Sequence, residues 1–440
     1  REVYGRARRE GRDHSAIQAA GTAAYTEGLR GRDAAADELM AASRDLAVET
    51  GNGYRVAWAH AQGALLLSLD GRLGDAVASG EAAFDVDPAA PDALAHEDLA
   101  HALWLAGRLA EAADLLERSA VRRPVLGSRR RAWGAALAAR VHTELGQRGR
   151  ARSNLEKAAA TFDDDFLTWS SWLPWSEGWL AFVEGDSPHA LGLLDTVAGR
   201  LRAIGALGYE PLVLADLATI AADADDRGRC DDAAGRAREV ATTTGTELAA
   251  WIADLVGARA VLGRGAADEA VEPAVRALAG LDAAGYRLLA ADAAELAGRA
   301  LVDHDRQRAV AHLQRAAEEH EGCGAAWRRD RVLSLLTGLG ARGRRAAAEV
   351  QGPASLTPRE REVAELTARG HTARDVGEVL FIGKRTVETH LANIYAKLGI
   401  GSKRELIRRA AEFGLSDRGD GGGSVPDSVS RTEAGDDDRS

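Results

Sequence analysis

Residues 356–400 read LTPREREVAELTARGHTARDVGEVLFIGKRTVETHLANIYAKLGI, and this stretch decides the fold of the C-terminal part of the 440-residue chain. Thr357, Thr372 and, just after the stretch, Ser402 are favoured helix N-cap residues, and each is followed three positions later by Glu or Asp. Such a pair forms a capping box, in which side chain and backbone bond reciprocally at a helix start. The pattern predicts helices that begin at these three positions.

A further helix is predicted between the second and third caps, from about Lys384 to Leu398. It follows the short turn Phe381-Ile382-Gly383, and Gly399 is a suitable residue to end it. Two helices joined by a three-residue turn, the second of them polar on its outer side, predict a helix-turn-helix. We expect the core of the four-helix unit to contain Val363, Leu366, Val376, Val379, Leu380, Val387, Leu391, Ile394, Leu398, Leu406, Ile407 and Phe413.

The segment resembles the LuxR-type helix-turn-helix family. The resemblance rests on the opening LTPRE, on TVETH at 386–390 and on KLGI at 397–400, and it covers nearly all of 356–415 without a gap. Gly383-Lys384 stands where the family usually has Ser, often followed by Pro, and Gly377 replaces a usual alanine. Glycine in these places costs roughly 1 kcal/mol or less, so neither departure threatens the fold.

The resemblance implies that the third helix enters the major groove of DNA. It implies base contacts from Glu388, Thr389, Ala392 and Asn393, residue types that have matching partners on base edges. Contacts that fix the register on the DNA backbone are expected from Thr372, Arg374, Lys384, Arg385, Thr386 and Lys397. The family's fourth helix commonly forms a dimer interface, so a homodimer on double-stranded DNA is expected.

The charge of the chain is distributed unevenly. The net charge is −11, but 356–415 holds 11 Lys or Arg against 8 Asp or Glu, and 383–409 holds 7 against 2. Three of the four lysines, Lys384, Lys397 and Lys403, lie in this basic part. The acidic excess outside it leaves an alternative open, in which the chain is an interaction scaffold with a weak or vestigial DNA-binding domain.

The rest of the chain is predicted to be an all-α repeat. Aromatic residues make up only 5% and alanine is abundant, which favours helices packed through small side chains over sheets. The motif at 70–76, DGRLGDA, recurs 36 residues later as AGRLAEA. Similar turns, at successive spacings of 36 to 43 residues, begin near Gly31, Gly149, Gly185, Gly228, Gly265 and Asp305. Residues 1–340 therefore resemble a degenerate tetratricopeptide-like solenoid, with an irregular bundle of helical hairpins as the alternative.

One segment is unusually aromatic. Seven of the 21 aromatic residues lie within 162–182, and Trp169, Trp172, Trp175 and Trp179 form its centre. Large rigid rings suit a pocket for a small effector or a partner. The alternative is a bulky core layer between adjacent repeats.

The remaining features limit the function further. We expect a linker at 341–355 and a disordered acidic tail at 416–440, which has 7 acidic and 3 basic residues. Cys230 and Cys323 fit no metal spacing and are expected to be buried thiols in a cytoplasmic protein, a disulfide being the alternative. The histidines are scattered and no nucleophile–base pair is recognisable, so we expect neither catalysis nor a metal.

The arrangement of repeat and helix-turn-helix resembles the C-terminal part of the large ATP-binding LuxR-type regulators. No phosphate-binding loop of the Gly-Lys-Ser or Gly-Lys-Thr type occurs, so no cofactor is expected in this chain. Either an ATP-binding domain belongs to a missing N-terminal part or the protein never had one. The start at Arg1 and the single methionine, Met40, favour the first alternative. The sequence thus predicts a DNA-binding regulator whose repeat domain senses an effector or partner.

Overall fold

A computed structural model describes residues 2–86, 95–122, 128–161, 170–339, 356, 358–380 and 384–415. All regular secondary structure in these residues is helical. The chain divides into two compact units, Arg1–Ala341 and Arg342–Ser440. The predicted linker at 341–355 and the predicted tail at 416–440 lie outside the described residues.

The first unit is a succession of helices joined by short turns. In its described part these are α1 (Glu2–Arg9), α2 (Asp13–Leu29), α3 (Asp33–Glu49), α4 (Gly53–Asp70), α5 (Leu73–Val86), α6 (Ala95–Leu105), α7 (Leu109–Arg122), α8 (Ser128–Glu144), α9 (Arg148–Ala160), α10 (Trp172–Val183), α11 (Ser187–Ile204), α12 (Glu210–Asp223), α13 (Arg227–Thr244), α14 (Glu247–Gly263), α15 (Ala267–Ala283), α16 (Arg287–Ala300), α17 (Arg306–Cys323) and α18 (Ala326–Gly338).

Many of these helices end at a residue in the left-handed backbone conformation. Gly71 and Gly107, in the two copies of the recurring motif, have φ of 105° and 72°, a conformation that glycine adopts without strain. The repeats predicted to turn near Gly149 and Gly228 turn a few residues earlier instead. Gly149 and Gly228 lie in the first turns of α9 and α13, and the turn before α13 has Asp225 at φ 53°.

The helices form two layers. From α2 to α16, each even-numbered helix packs against the next even-numbered one, and the odd-numbered helices cover this inner layer from outside. Every residue of α6 is buried, and so is every residue of α12 from Glu210 to Ala221. An outer helix such as α15 buries only a stripe of alanines and leucines. The first unit is therefore the predicted tetratricopeptide-like solenoid, and the prediction of an all-α fold is confirmed.

The inner layer closes on itself across the unit. Helix α4 contacts α14, α6 contacts α16, and α8 contacts α18, although each pair is far apart in sequence. The Tyr286 hydroxyl donates to the Ser68 carbonyl at 2.8 Å. At Gly107 an added Cβ would lie 2.4 Å from the Cys323 Sγ, so only glycine allows this approach. Early and late repeats are thus packed directly against each other.

Bonds between buried charged side chains stabilise this packing of late inner helices against early ones. The Arg328 guanidinium of α18 donates to both carboxylate oxygens of Glu144 at 2.9 Å and to Asp292 at 2.6 Å. Burial alone would raise the pKa of Glu144 and of Asp292, but the adjacent Arg328 charge holds each pKa below its ordinary value. Both carboxylates therefore remain ionised in the interior, and α18 is joined to α8 and α16.

The second unit contains α19 (Pro358–Ala368), α20 (Ala373–Leu380), α21 (Lys384–Leu398) and α22 (Lys403–Arg408) among its described residues. Its core contains most of the predicted positions, with Leu366, Leu380 and Leu391 partly buried. The prediction was wrong for Val379 and Ile407, which are 52% and 42% exposed. Each neighbours a residue that faces the core, Leu380 or Leu406, so the short helix turns it outward.

Cys230 and Cys323 are buried free thiols, which confirms the expectation for both. Burial raises the pKa of the Cys323 thiol to about 11, so it is an unreactive core group. Among the described residues, no helix is both long enough and apolar enough to span a bilayer.

Replacing Arg328 with Leu is expected to destabilise the first unit strongly. The substitution removes the guanidinium that bonds two buried carboxylates, and breaking a buried pair in this way costs about 3–5 kcal/mol. Urea unfolding monitored by circular dichroism measures the difference. Arg264→Leu is the control, because Arg264 bonds Asp231 at a similar distance of 2.7 Å but half exposed to solvent. Equal effects of the two substitutions would contradict a role of Arg328 in closing the layer.

The interior imidazole of His101 predicts a pH dependence of stability. Burial lowers the pKa of His101 to about 3, whereas the unfolded side chain titrates near pH 6.5. At this position the unfolded chain binds a proton that the folded chain does not bind. This one group therefore contributes a fall in the free energy of unfolding of about 1.4 kcal/mol per pH unit below pH 6. His101→Gln is expected to reduce this slope between pH 6 and pH 5, and His189→Gln, at an exposed site, is expected to leave it unchanged. Identical slopes in both variants would refute the assignment.

Candidate DNA-binding interface

Capping interactions position the first helix of the helix-turn-helix, α20. The Thr372 N–H donates to Asp375 Oδ2 at 2.8 Å, and the Asp375 N–H donates to Thr372 Oγ1 at 3.3 Å. The Thr372 N–H also lowers the pKa of Asp375, which keeps this carboxylate charged at the positive end of the helix dipole. Ser402 Oγ accepts from the Glu405 N–H at the start of α22. These two predicted caps are confirmed, and Thr357 lies outside the described residues.

One face of α21 is fixed in the core. Val387 and Ile394 are fully buried and Leu398 is 5% exposed, as the spacing predicted. At about 100° per residue, positions 385, 389 and 392 lie on the opposite side of the helix from these three residues. The unit therefore presents the second helix of the motif with its predicted outer face away from the core.

All the predicted contact residues except Lys397 fall into two groups. Thr372, Arg374, Lys384 and Ala392 are exposed. The backbone of α21 includes the other five recognition-helix candidates, but their side chains lie outside the described part of the structure: Arg385, Thr386, Glu388, Thr389 and Asn393. The structure thus locates the helix that carries the candidate base contacts and leaves their side-chain roles as predictions.

Lys397 has a partner that sequence reasoning missed. Its Nζ donates at 2.6 Å to Glu360 Oε2, and Glu360 is only 5% exposed. The ion pair joins the C-terminal end of α21 to α19. The sequence assigned Glu360 to a capping box and Lys397 to DNA, and neither local pattern contains a signal for a bond between residues 37 positions apart. The proposed phosphate contact of Lys397 would have to compete with this bond.

Two further cations serve the fold of the same unit. Lys403 Nζ donates to the Gly370 and His371 carbonyls at 2.9 and 2.7 Å, where it satisfies the C-terminal end of α19. Arg359 donates to the Leu380 carbonyl at 2.6 Å, the last residue of α20. Part of the basic excess counted in the sequence is therefore used inside the unit to fix the helices.

The aromatic segment of the first unit is packed in its interior. Trp172, Trp175 and Trp179 are at most 2% exposed, while Trp169 lies outside the described residues. The indole N–H of Trp175 donates to Asp216 at 2.7 Å, and this carboxylate also accepts two bonds from Arg140. The rings pack edge to face with neighbouring aromatic side chains. The effector pocket predicted for these tryptophans stays a prediction.

Comparison with known proteins identifies the family of the C-terminal helix-turn-helix unit. Residues 354–410 match the bacterial regulatory proteins of the luxR family. Over 116 residues the chain is 37% identical to a putative HTH-type transcriptional regulator of Mycobacterium bovis, an alignment that covers 26% of this chain and 13% of that protein. Over 54 residues it is 50% identical to the tetrathionate response regulatory protein TtrR of Salmonella typhimurium, covering 12% of this chain and 26% of that protein. The matches span only a small part of these relatives.

Among solved structures, a Rap protein complexed with competence and sporulation factor covers 74% of this chain and 99% of its own, with a TM-score of 0.46 and 11% identity. The family assignment rests on the C-terminal unit alone. Residues 354–410 form a LuxR-type helix-turn-helix domain, and the relatives that share it with this chain are bacterial transcriptional regulators.

Proposed function

We propose that the chain is a sequence-specific DNA-binding transcriptional regulator whose helical-repeat unit senses an effector or a partner. The observation that supports this most directly is the placement of α21, which buries Val387 and Ile394 and turns positions 385, 389 and 392 away from the core. A helix held in this way can enter the major groove while the rest of the unit remains outside it. Lys384, at its N-terminal end, is exposed and basic.

Arg385→Glu is expected to weaken duplex binding by the full chain by about tenfold or more at moderate salt, and to reduce the salt dependence of binding by one or two counterions. The reason is that a phosphate contact becomes a repulsion. A duplex first selected from a random pool by the unmodified chain is the probe, and fluorescence anisotropy over a range of salt concentrations is the measurement. Lys397 is left intact, because its Nζ bonds the buried Glu360 within the unit, so its loss would also disturb the fold.

Arg148→Glu is the matched control for this experiment. Arg148 is exposed at the start of α9 in the first unit, and the substitution changes the net charge of the chain by the same amount. Binding that is unaffected by Arg385→Glu, or equally affected by both substitutions, would overturn the regulator proposal. The acidic first unit would then favour the scaffold alternative.

The proposal includes a homodimer formed through α22. Ile407 is 42% exposed on this helix, beside the fully buried Leu406, so α22 presents an apolar residue to solvent in addition to its core face. A small domain with few uncommitted cations gains affinity when two copies bind adjacent half-sites. An exposed isoleucine at a two-fold axis would meet its own copy.

Ile407→Asp is expected to shift the full chain toward monomer in sedimentation velocity, and to convert two-half-site binding into weaker binding of one half-site. Two facing carboxylates in place of two apolar side chains repel each other and must be desolvated. Val379→Asp is the control, because Val379 is an exposed apolar residue on α20, 52% exposed against 42% for Ile407. A dimer that survives Ile407→Asp would remove α22 from the interface.

A further inference from the structure

An arginine lies on the apolar face of the inner helix α14. Ile252, Val256 and Arg259 are at positions i, i+4 and i+7, so their side chains share one face of the helix. Ile252 and Val256 are fully buried, and Arg259 is 5% exposed. The cost of removing a guanidinium from water is normally offset by a bonded carboxylate, as it is for Arg328.

Arg259 has no bonded partner of this kind. In the part of the chain that the structure describes, its guanidinium donates no hydrogen bond and has no carboxylate within ion-pair distance. The pKa of Arg259 falls to about 10, chiefly because of burial. The charges of Glu295 and Asp292 act against this fall in pKa, and those of Arg331 and Arg299 add to it. Arg259 is therefore a cation at neutral pH without a bonded counter-charge.

The carboxylates near Arg259 are bonded to other guanidinium groups. Both belong to the next inner helix, α16. Asp292 accepts a hydrogen bond from Arg328 at 2.6 Å, and Glu295 accepts one from Arg299 at 3.4 Å. Their charges act on Arg259 from beyond bonding distance, so the N–H groups of its fork have no acceptor among the described side chains.

A second guanidinium beside Glu295 has only long ion pairs. Arg331 of α18 lies 3.8 Å from Glu295 Oε1 and 3.3 Å from Asp223 Oδ1, and it donates a directed hydrogen bond in neither pair. The side chains of Arg331 and Asp223 are 20% and 48% exposed, so this side of the cluster is open to solvent. Two guanidinium groups with unused donors therefore lie near one buried carboxylate, with an opening beside them.

We propose that Arg259 and Arg331 form a site for an oxyanion, and that the first unit binds the carboxylate or phosphate group of an acidic effector there. Both kinds of oxyanion match the planar fork of a guanidinium, which donates two parallel N–H bonds to them. The ligand oxygens give Arg259 the acceptor that the described residues do not provide, and Arg331 lies at the entrance. This assignment deepens the proposed function, because it rests on the first unit being a sensor.

The test uses the full chain without DNA, so that its result does not depend on operator binding. The buffer is Tris chloride at fixed ionic strength. Inorganic phosphate and succinate are the probes, one for each kind of oxyanion, and isothermal titration calorimetry and thermal shift are the measurements. At least one probe is expected to bind with an affinity of millimolar or tighter, and the tighter of the two identifies the kind of oxyanion.

Arg259→Met is the decisive variant. It is expected to weaken binding of the anion about 10- to 100-fold, because a charge-assisted contact in the interior is lost. Arg264→Met is the matched control, because Arg264 directly follows the same helix and carries the same charge, but is half exposed in a pair with Asp231. General effects of anions on stability, and anion binding to the second unit, are the same in both variants.

Two further variants test the geometry of the site. Arg259→Lys keeps the charge but not the planar fork, and Arg331→Met removes the second guanidinium. Each is expected to weaken binding about three- to tenfold. In chloride alone, Arg259→Met is expected to leave the urea midpoint unchanged or higher, because it removes a buried charge that has no bonded partner. Arg328→Leu, which breaks bonded pairs, is expected to lower the midpoint.

Absence of binding by both probes would overturn the inference, and so would equal binding by Arg259→Met and Arg264→Met. An affinity that Arg331→Met leaves unchanged would overturn the two-arginine site. A urea midpoint that Arg259→Met lowers as far as Arg328→Leu would make Arg259 a structural cation and overturn the inference too. If an anion binds as expected and the selected duplex does not, the site stands and the regulator proposal fails. If the duplex binds and neither anion does, only the assignment of the site fails.

Discussion

The contact of Arg328 with Glu144 and Asp292 is the constraint on which the architecture of the first unit depends. It joins the last described helix of the solenoid, α18, to α8 and α16. In a stack where each helix pair contacts only the adjacent pairs, one side of the inner helices would be exposed to solvent. Here the early and late inner helices meet, and helices such as α6 are buried along their whole length. Arg328, Glu144 and Asp292 can be charged in this interior because they bond one another.

The packing of early against late inner helices limits the places where a ligand could bind in the first unit. Trp179 lies between two guanidinium groups, with Arg140 at 4.2 Å and Arg328 at 4.6 Å from its ring. Each cation stacks on an aromatic face and also bonds carboxylates, so displacing any one of these groups would leave others unpaired. An effector is therefore not expected to replace this packing.

The sequence predicted what depends on local rules. The capping boxes at Thr372 and Ser402, the buried stripe of α21 and the repeat of helix pairs all follow from spacing within a few turns. Contacts between distant residues, such as Arg328 with Glu144 or Lys397 with Glu360, have no local signature. The same limit explains Val379 and Ile407, since a helix of six or eight residues has too few apolar positions to define which neighbour faces inward.

The internal use of cations in the second unit changes how its DNA affinity should be understood. Lys397, Lys403 and Arg359 all donate to groups within the unit, so the basic excess of 356–415 overstates the charge available to phosphates. A phosphate that no lysine or arginine neutralises keeps its counterion. The release of that counterion then adds nothing to the non-specific affinity. This gives the proposed base contacts along α21 and the proposed second copy a larger share of the binding. In the proposed dimer, the exposed Ile407 on α22 would supply an apolar surface for the second copy, which would tie the specificity of the domain to its assembly.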